Sequence, residues 1–369
     1  MKFTCEKNQL VSAISVASRT VAQKSAIASL EGILVRAGVK VTLTGYNLET
    51  GITVTLDADI QEAGACIMPA RLFFDIIRKL PDDTVSIQVD DNFKVSIKGG
   101  ISSFTITALS ADDYPELPDV DSEKGIRVPQ SELKAMISGT IFAVSENQAR
   151  PIHTGVLFEV EDTTITSVAV DGYRLALRRY TSEESLERTL KFVAPAAALK
   201  EVEKILGDTD EPAIFYPGSK HILFSIGEAT LVCRILEGEF LDWRRVLPQN
   251  NPVKLVGNVS QLTDSIERVG LVISEKLKSP VRCRFGDNTA EFRTVSTIGE
   301  AYDVCPIAGD GKDLEIGFNC RYLLDALRAV PDSECTLEMI NGLSPIVLNP
   351  TEGKRYSYMV LPVRLKAGE

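Results

Sequence analysis

Histidine is nearly missing from this chain: His153 and His221 are the only two in 369 residues. Histidine-centred metal binding or acid–base catalysis therefore has little material. Cysteine is present but unpatterned. The seven, at 5, 66, 233, 283, 305, 320 and 335, are odd in number and form no Cys-x-x-Cys. That argues against a disulfide framework or a structural zinc site and for reduced thiols in a cytoplasmic protein, with no metal and no cofactor. No apolar run approaches the ~18 residues that span a bilayer, and Met1-Lys2-Phe3-Thr4-Cys5 opens no signal-peptide pattern. The expectation is a soluble chain without a membrane partner. Positive charge is also short. Lys and Arg number 40 against 51 Asp and Glu, a net charge of −11, which excludes a simple basic nucleic-acid binder and favours acidic outer surfaces. Phosphate-cradling glycine loops, the Gly-x-Ser-x-Gly elbow and His-Glu-x-x-His do not occur, which weighs against an enzyme. Asp119-Val120-Asp121-Ser122-Glu123 fails as a calcium loop at Lys124 and Gln130 and reads as a solvated acidic linker.

What the chain has is a long internal repeat. Apolar residues fall at helical spacing at Leu10, Val11, Ile14 and Ala17. They do so again at Leu133, Met136, Ile137, Ile141 and Val144, and at Leu262, Ile266, Val269 and Ile273. Strand-like alternation follows, as in Val39, Val41 and Leu43 against Lys40, Thr42 and Thr44. A second helix recurs over 70–80, 195–206 and 319–330. Its apolar positions are Leu72, Phe73, Ile76 and Ile77, then Leu199, Val202, Ile205 and Leu206, then Leu323, Leu324 and Leu327. Each copy closes on strands. Val85/Ile87/Val89 and Phe93/Val95/Ile97, separated by Asp90-Asp91-Asn92, read as a hairpin. The second helices begin near residues 70, 195 and 319, a period of about 125. This predicts domains at 1–125, 126–251 and 252–369, with linkers at Pro115–Gly125 and Pro248-Gln249-Asn250-Asn251-Pro252. A repeat this long is a whole domain. Each should place two helices on one face of an antiparallel sheet, an α+β arrangement.

Five stretches carry a resemblance. They are Ala108-Leu109-Ser110-Ala111-Asp112-Asp113-Tyr114-Pro115, Val170-Asp171-Gly172-Tyr173-Arg174-Leu175-Ala176 and Gly238-Glu239-Phe240-Leu241-Asp242-Trp243-Arg244-Arg245-Val246-Leu247-Pro248. The others are Glu315-Ile316-Gly317-Phe318-Asn319 and Tyr358-Met359-Val360-Leu361-Pro362-Val363-Arg364-Leu365. In this order, on a threefold repeat, they resemble the bacterial DNA polymerase III β subunit family, the replication sliding clamps, from Met1 to Leu365. The resemblance implies a DNA clamp fold: a head-to-tail homodimer whose six similar domains close a ring around duplex DNA, helices inside and sheets outside. Twelve helices about 10 Å apart give a circumference of roughly 120 Å and, after subtracting a helix diameter, a hole of roughly 28 Å. Such a hole holds a duplex loosely. The six candidate helices carry a net +4 and the rest of the chain −15, which suits weak, sequence-independent phosphate contact.

The resemblance also assigns residues. Lys24, Asn147 and Arg150 fall on loop positions that touch DNA in the family. Charge alone adds Arg71, Arg78, Lys79, Lys200, Arg268 and Arg321 on the lining helices, where ordinary surface charge is the competing reading. Similarity points to Phe104 and Ile106, and to Leu271 and Val272, as the dimer interface. Alternation with Ser103, Thr105 and Thr107 does not by itself separate interface from core. The family's partners, its polymerases, repair proteins and clamp loader, insert a Gln-Leu-x-Leu-Phe-like peptide into a groove. The matching positions are Val170, Gly172, Tyr173, Arg174, Leu175, Arg245 and Val246, with Asn319, Tyr322, Leu343, Pro345, Met359, Leu361, Pro362, Val363 and Arg364. Leu, Val, Met and Pro would bury the peptide while Arg and Asn hold its backbone. Two positions depart from the family pattern: Tyr173 stands where some members have His, and His153 where an apolar residue is common. The chain also continues past Arg364-Leu365 with Lys366-Ala367-Gly368-Glu369. The function implied is a non-enzymatic processivity clamp. A monomeric peptide-binding scaffold of the same ancestry, which does not encircle DNA, is the alternative.

Overall fold

The computed structural model describes residues 1–186, 189–273 and 279–365. The tail Lys366-Ala367-Gly368-Glu369 lies outside the described residues, as do residues 187–188 and 274–278. Among the described residues the helices are α1 (Lys7–Ala17), α2 (Ala70–Lys79), α3 (Gln130–Ile141), α4 (Ala196–Ile205), α5 (Trp243–Val246), α6 (Val259–Gly270) and α7 (Cys320–Arg328). Six are the expected pairs at the repeat spacing. The single turn α5 is an addition.

Local chemistry starts these helices. The Glu6 carboxylate accepts from the Asn8 and Gln9 amides, each at 2.8 Å, and caps α1. Asn258 accepts from Gln261 N–H at 3.0 Å and caps α6. Asn319 does the same for α7, from Tyr322 N–H at 3.3 Å. α2 and α4 start directly behind Pro69 and Pro195, which end the preceding strands. The buried faces follow the spacing: Leu10, Ala13, Ile14 and Ala17 in α1, and Phe73, Ile76 and Ile77 in α2. In α6 they are Leu262, Ile266 and Val269, and in α7 Leu323, Leu324 and Leu327. Leu72 departs from this. It is 48 % exposed, beside Arg71 on the outward side of α2.

Two of the three leading apolar stretches run past the end of the helix. Residues 18–20 form a 3₁₀ turn after α1. α3 stops at Ile141, where Thr140 Oγ1 donates to the Met136 carbonyl at 2.7 Å and competes with the helical pattern. α6 stops at Gly270, a poor helix former. Val144 and Ile273 therefore lie beyond their helices. Two strands start later than the alternation suggests. Val39 is fully exposed in the turn before Val41–Tyr46. Phe93, at φ 57°, belongs to the turn before Lys94–Gly99.

The chain forms two compact units. Met1–Leu133 with Lys200–Ile235 builds a five-stranded and a nine-stranded sheet, and within it α1 packs on α2. Lys134–Leu199 with Leu236–Glu369 builds a ten-stranded sheet, and within it α6 packs on α7. Every strand pairing is antiparallel. The two larger sheets do not respect the sequence repeats. In the first unit Thr50–Leu56 pairs with Ala229–Arg234, Val54 opposite Ala229. In the second, Arg174–Thr181 pairs with Tyr356–Val360, Leu175 opposite Met359. The five-stranded sheet belongs wholly to the first repeat, whereas the nine- and ten-stranded sheets are shared between repeats. The physical reason is the strand edge: an unpaired row of N–H and C=O groups is satisfied by the next repeat.

Candidate functional site

The cross-repeat pairing in the second unit builds the site. Strand Arg174–Thr181 has Thr164–Val170 on one side and Tyr356–Val360 on the other. Val170, Leu175 and Met359 are thereby brought together from distant sequence. They join Ile152, Leu157, Leu177, Val347, Phe240 and Trp243 in one buried cluster, against which Val246, Leu247 and Leu361 pack half-buried. These form an apolar floor and wall. Tyr173, Leu343 and Val363 are 61 %, 80 % and 40 % exposed, far more than apolar groups without a partner need. Pro345 and Pro362 are half-buried, and Arg245 and Arg364 are exposed.

The turn before the strand is built for its position. Asp171 Oδ1 accepts from Tyr173 N–H at 2.9 Å and Arg174 N–H at 3.0 Å. Gly172 holds φ 91°, a conformation that costs a side-chain-bearing residue strain although the space is open. Tyr173 C=O accepts from Leu361 N–H at 2.8 Å and ties this turn to the last segment of the chain. The Tyr173 ring lies 5.9 Å from that of Tyr322 on α7, nearly parallel.

Arg174 and Asn319 differ from expectation. Arg174 does not reach outward to a peptide. It is 8 % exposed; Nε donates to Asp171 at 2.9 Å, one terminal nitrogen to Asp325 at 2.6 Å, and the guanidinium lies 4.4 Å over the Tyr322 ring. Asn319 Oδ1 is committed to the α7 cap. Both residues build the site's frame. Arg245 pairs with Asp242 at 3.0 Å while 87 % of its side chain stays exposed. The sequence reading also missed Asp171, Asp325 and Trp243. Asp171 is signalled by its place three residues before Arg174. Asp325 has no local signal, because it lies 151 residues away.

His153 lies at the same cluster. Its ring meets Phe240 edge-on at 5.3 Å. Its Nε2 is enclosed without a hydrogen-bond partner. Burial, then Arg150, hold the imidazole below its ordinary pKa.

The cations divide into two sets. Lys24, Arg71, Lys79, Arg150 and Lys200 are exposed and make no ion pair among the described residues. Arg78 pairs with Asp75 at 3.3 Å, Arg268 with Asp303, and Arg321 with Asp325 at 3.9 Å. Arg268 also holds the Asp303 carboxyl below the usual range. A phosphate would compete with those carboxylates, so these three are weaker candidates than charge counting implied. Asn147 is exposed in its loop, and its Oδ1 accepts from Ala149 N–H at 2.9 Å. A cleft of about 560 Å³ runs between α1 and α2, lined by Arg71, Gln23, Glu31, Ser15, Ser18 and Phe74 among others.

Phe104 and Ile106 are not core. Their strand, Ser102–Thr107, is the edge of the five-stranded sheet, and Phe104 is 40 % exposed and Ile106 half-buried. Leu271 is 81 % exposed immediately after α6, and Val272 is half-buried beside it. Near them, Val281–Ser296 forms an edge of the ten-stranded sheet, and the Ser296 hydroxyl donates to the Val272 carbonyl at 2.6 Å. No helix among the described residues is long and apolar enough to cross a membrane.

Comparison with known proteins gives one answer along the whole chain. Residues 1–118, 127–242 and 244–364 match the N-terminal, central and C-terminal domains of the DNA polymerase III β subunit. The β sliding clamps of Staphylococcus epidermidis and Staphylococcus aureus are each 30 % identical over 377 residues, covering 99 % of this chain and 99 % of theirs. The DNA polymerase sliding clamp structure from Bacillus subtilis superposes with a TM-score of 0.94 at 29 % identity, covering 99 % of this chain and 100 % of that one. The DNA polymerase III β subunit of Thermotoga maritima does so with a TM-score of 0.90 at 28 % identity and the same coverage. The chain belongs to the DNA polymerase III β subunit family, the β sliding clamps.

Proposed function

We propose that two copies of this chain, each of three domains at 1–125, 126–251 and 252–369, close head to tail into a ring around duplex DNA in the cytoplasm. The ring tethers polymerases, repair proteins and the clamp loader through Gln-Leu-x-Leu-Phe-like peptides. The observation that carries this is the site in the second unit. A buried floor of Val170, Leu175 and Met359 is rimmed by apolar groups left exposed at Tyr173, Leu343 and Val363. Leu and Phe anchors gain about 2–3 kcal/mol each on burial, so two anchors supply most of a weak, exchangeable affinity. Family membership supplies the partner class.

Ring closure would join unlike surfaces, one from each end of the chain. The doubly exposed edge strand with Phe104 and Ile106, and the exposed Leu271 with Val272, suit that contact. An exposed edge with apolar side chains invites pairing with another chain. Lys24, Arg71, Lys79, Arg150 and Lys200, without carboxylate partners among the described residues, suit loose phosphate contact without base readout. The chain acts without chemistry of its own, so the purified protein should hydrolyse no nucleotide.

Small-angle X-ray scattering at several concentrations tests the assembly. The chain is 40.3 kDa, so the expected particle is twice that, 80.6 kDa, with a distance distribution that requires a central hole. A compact monomer at every concentration would contradict the proposal.

A further inference from the structure

The only tryptophan of the chain, Trp243, sits in a charged setting that the groove does not explain. It is 5 % exposed, and its indole N–H donates to Glu159 at 3.0 Å. Two guanidiniums lie over its ring, Arg244 at 4.3 Å and Arg179 at 5.6 Å from the centroid. Arg244 is matched, to Glu159 at 2.8 Å and Glu161 at 3.3 Å. Lys191 also reaches Glu159, at 3.3 Å. Arg179 has no carboxylate partner among the described residues. It donates to the Lys354 carbonyl at 3.0 Å, and the exposed Lys354 ammonium is likewise unpaired there. Three cations, Arg179, Arg244 and Lys191, thus stand around Trp243 and the two carboxylates Glu159 and Glu161, in a chain whose net charge is −11. Burial, then the neighbouring Arg244 guanidinium, hold Arg179 below its ordinary pKa.

Its place along the strand gives the surplus meaning. Leu175, Leu177 and Arg179 alternate onto one face of Arg174–Thr181. The two leucines enter the groove-floor cluster with Trp243. Arg179 follows about 7 Å further on. The unmatched cation therefore stands where the apolar floor ends.

We infer that Arg179 and Arg244, stacked on Trp243, form an anion subsite for an acidic side chain of the same peptide whose apolar anchors fill the groove. This rests on the groove reading above. A carboxylate matches the planar guanidinium fork in two parallel hydrogen bonds, and the Trp243 face holds that fork in place. Partners carrying Asp or Glu beside their Leu/Phe anchors would be selected over otherwise equal ones.

The test uses the full-length protein, fluorescent Gln-Leu-x-Leu-Phe peptides, and Arg179→Gln. One peptide is unextended; others carry two glutamates, or two glutamines, at either end. By anisotropy at low salt, one glutamate peptide should bind about fivefold tighter than its glutamine twin, and the gain should shrink as salt rises. In Arg179→Gln the gain should vanish while the unextended peptide binds unchanged. No gain at either end, or the same gain in Arg179→Gln, overturns the inference. Failure of the unextended peptide to bind would overturn the groove reading instead. Trp243 fluorescence separates the two failures. Tetraglutamate without anchors should change it in the wild type and not in Arg179→Gln. A change produced by short duplex DNA and not by tetraglutamate would assign the subsite to nucleic acid and overturn the peptide inference.

Discussion

Arg174 shows how much one buried cation organises. Its charge is balanced by Asp171 and Asp325, which come from a turn and from a helix 151 residues later. Replacing it with methionine keeps much of the volume, leaves Asp171 without its cation and leaves Asp325 only the longer contact to Arg321 at 3.9 Å. Arg174→Met should cost about 3 kcal/mol, in line with breaking other buried ion pairs, measured by urea denaturation. His153 sets a pH dependence. The folded protein keeps it neutral below its ordinary pKa, so the unfolded chain binds the proton more readily. Stability contributed by this residue is full above about pH 6.5 and falls as pH drops through the folded pKa. His153→Leu should lose less stability between pH 7 and pH 5 than the wild type in parallel thermal melts. The apolar residues of the site were legible, because Val170, Leu175 and Met359 sit in recognisable stretches. The role of Arg174 was not. Its partners are fixed by tertiary contact, and a sequence shows an arginine in a motif without showing what neutralises it.

Among elements, the edge strand Ser102–Thr107 is the most telling. A strand that packs on a core on one side alternates buried and exposed residues, as Thr84–Val89 does. Ser102–Thr107 has no fully buried residue. Phe104→Arg combined with Ile106→Asp should therefore leave the thermal midpoint nearly unchanged while reducing the light-scattering mass from dimer to monomer. A mass that stays dimeric would place the interface elsewhere. Helix pairs were legible at this scale, since amphipathic spacing with a strand and cap before it leaves few alternatives. Helix ends were less so. α3 and α6 end where Thr140 and Gly270 weaken the pattern, although apolar residues at matching spacing continue to Val144 and Ile273. The local hairpin of Thr84–Val89 with Lys94–Gly99 was legible, but pairing between repeats was not. Thr50–Leu56 and Ala229–Arg234 read as two ordinary strands, and nothing local says that they pair.

At the scale of the whole molecule, the repeat and the net charge work together. A chain of −11 is repelled by DNA at a distance, so retention must come from topology and not from affinity. The candidate DNA-facing cations without an ion pair among the described residues, Lys24, Arg71, Lys79, Arg150 and Lys200, would give phosphate contacts that weaken steeply as salt rises. The central claim is encirclement, and the direct measurement is release on cutting the circle. The protein is loaded on nicked circular plasmid by a clamp loader with ATP, isolated by gel filtration in high salt, and the plasmid is then linearised. The account predicts that the protein stays with the closed circle despite the salt and leaves once free ends exist. Loss from the intact circle in salt, or equal retention on linear DNA, would contradict it.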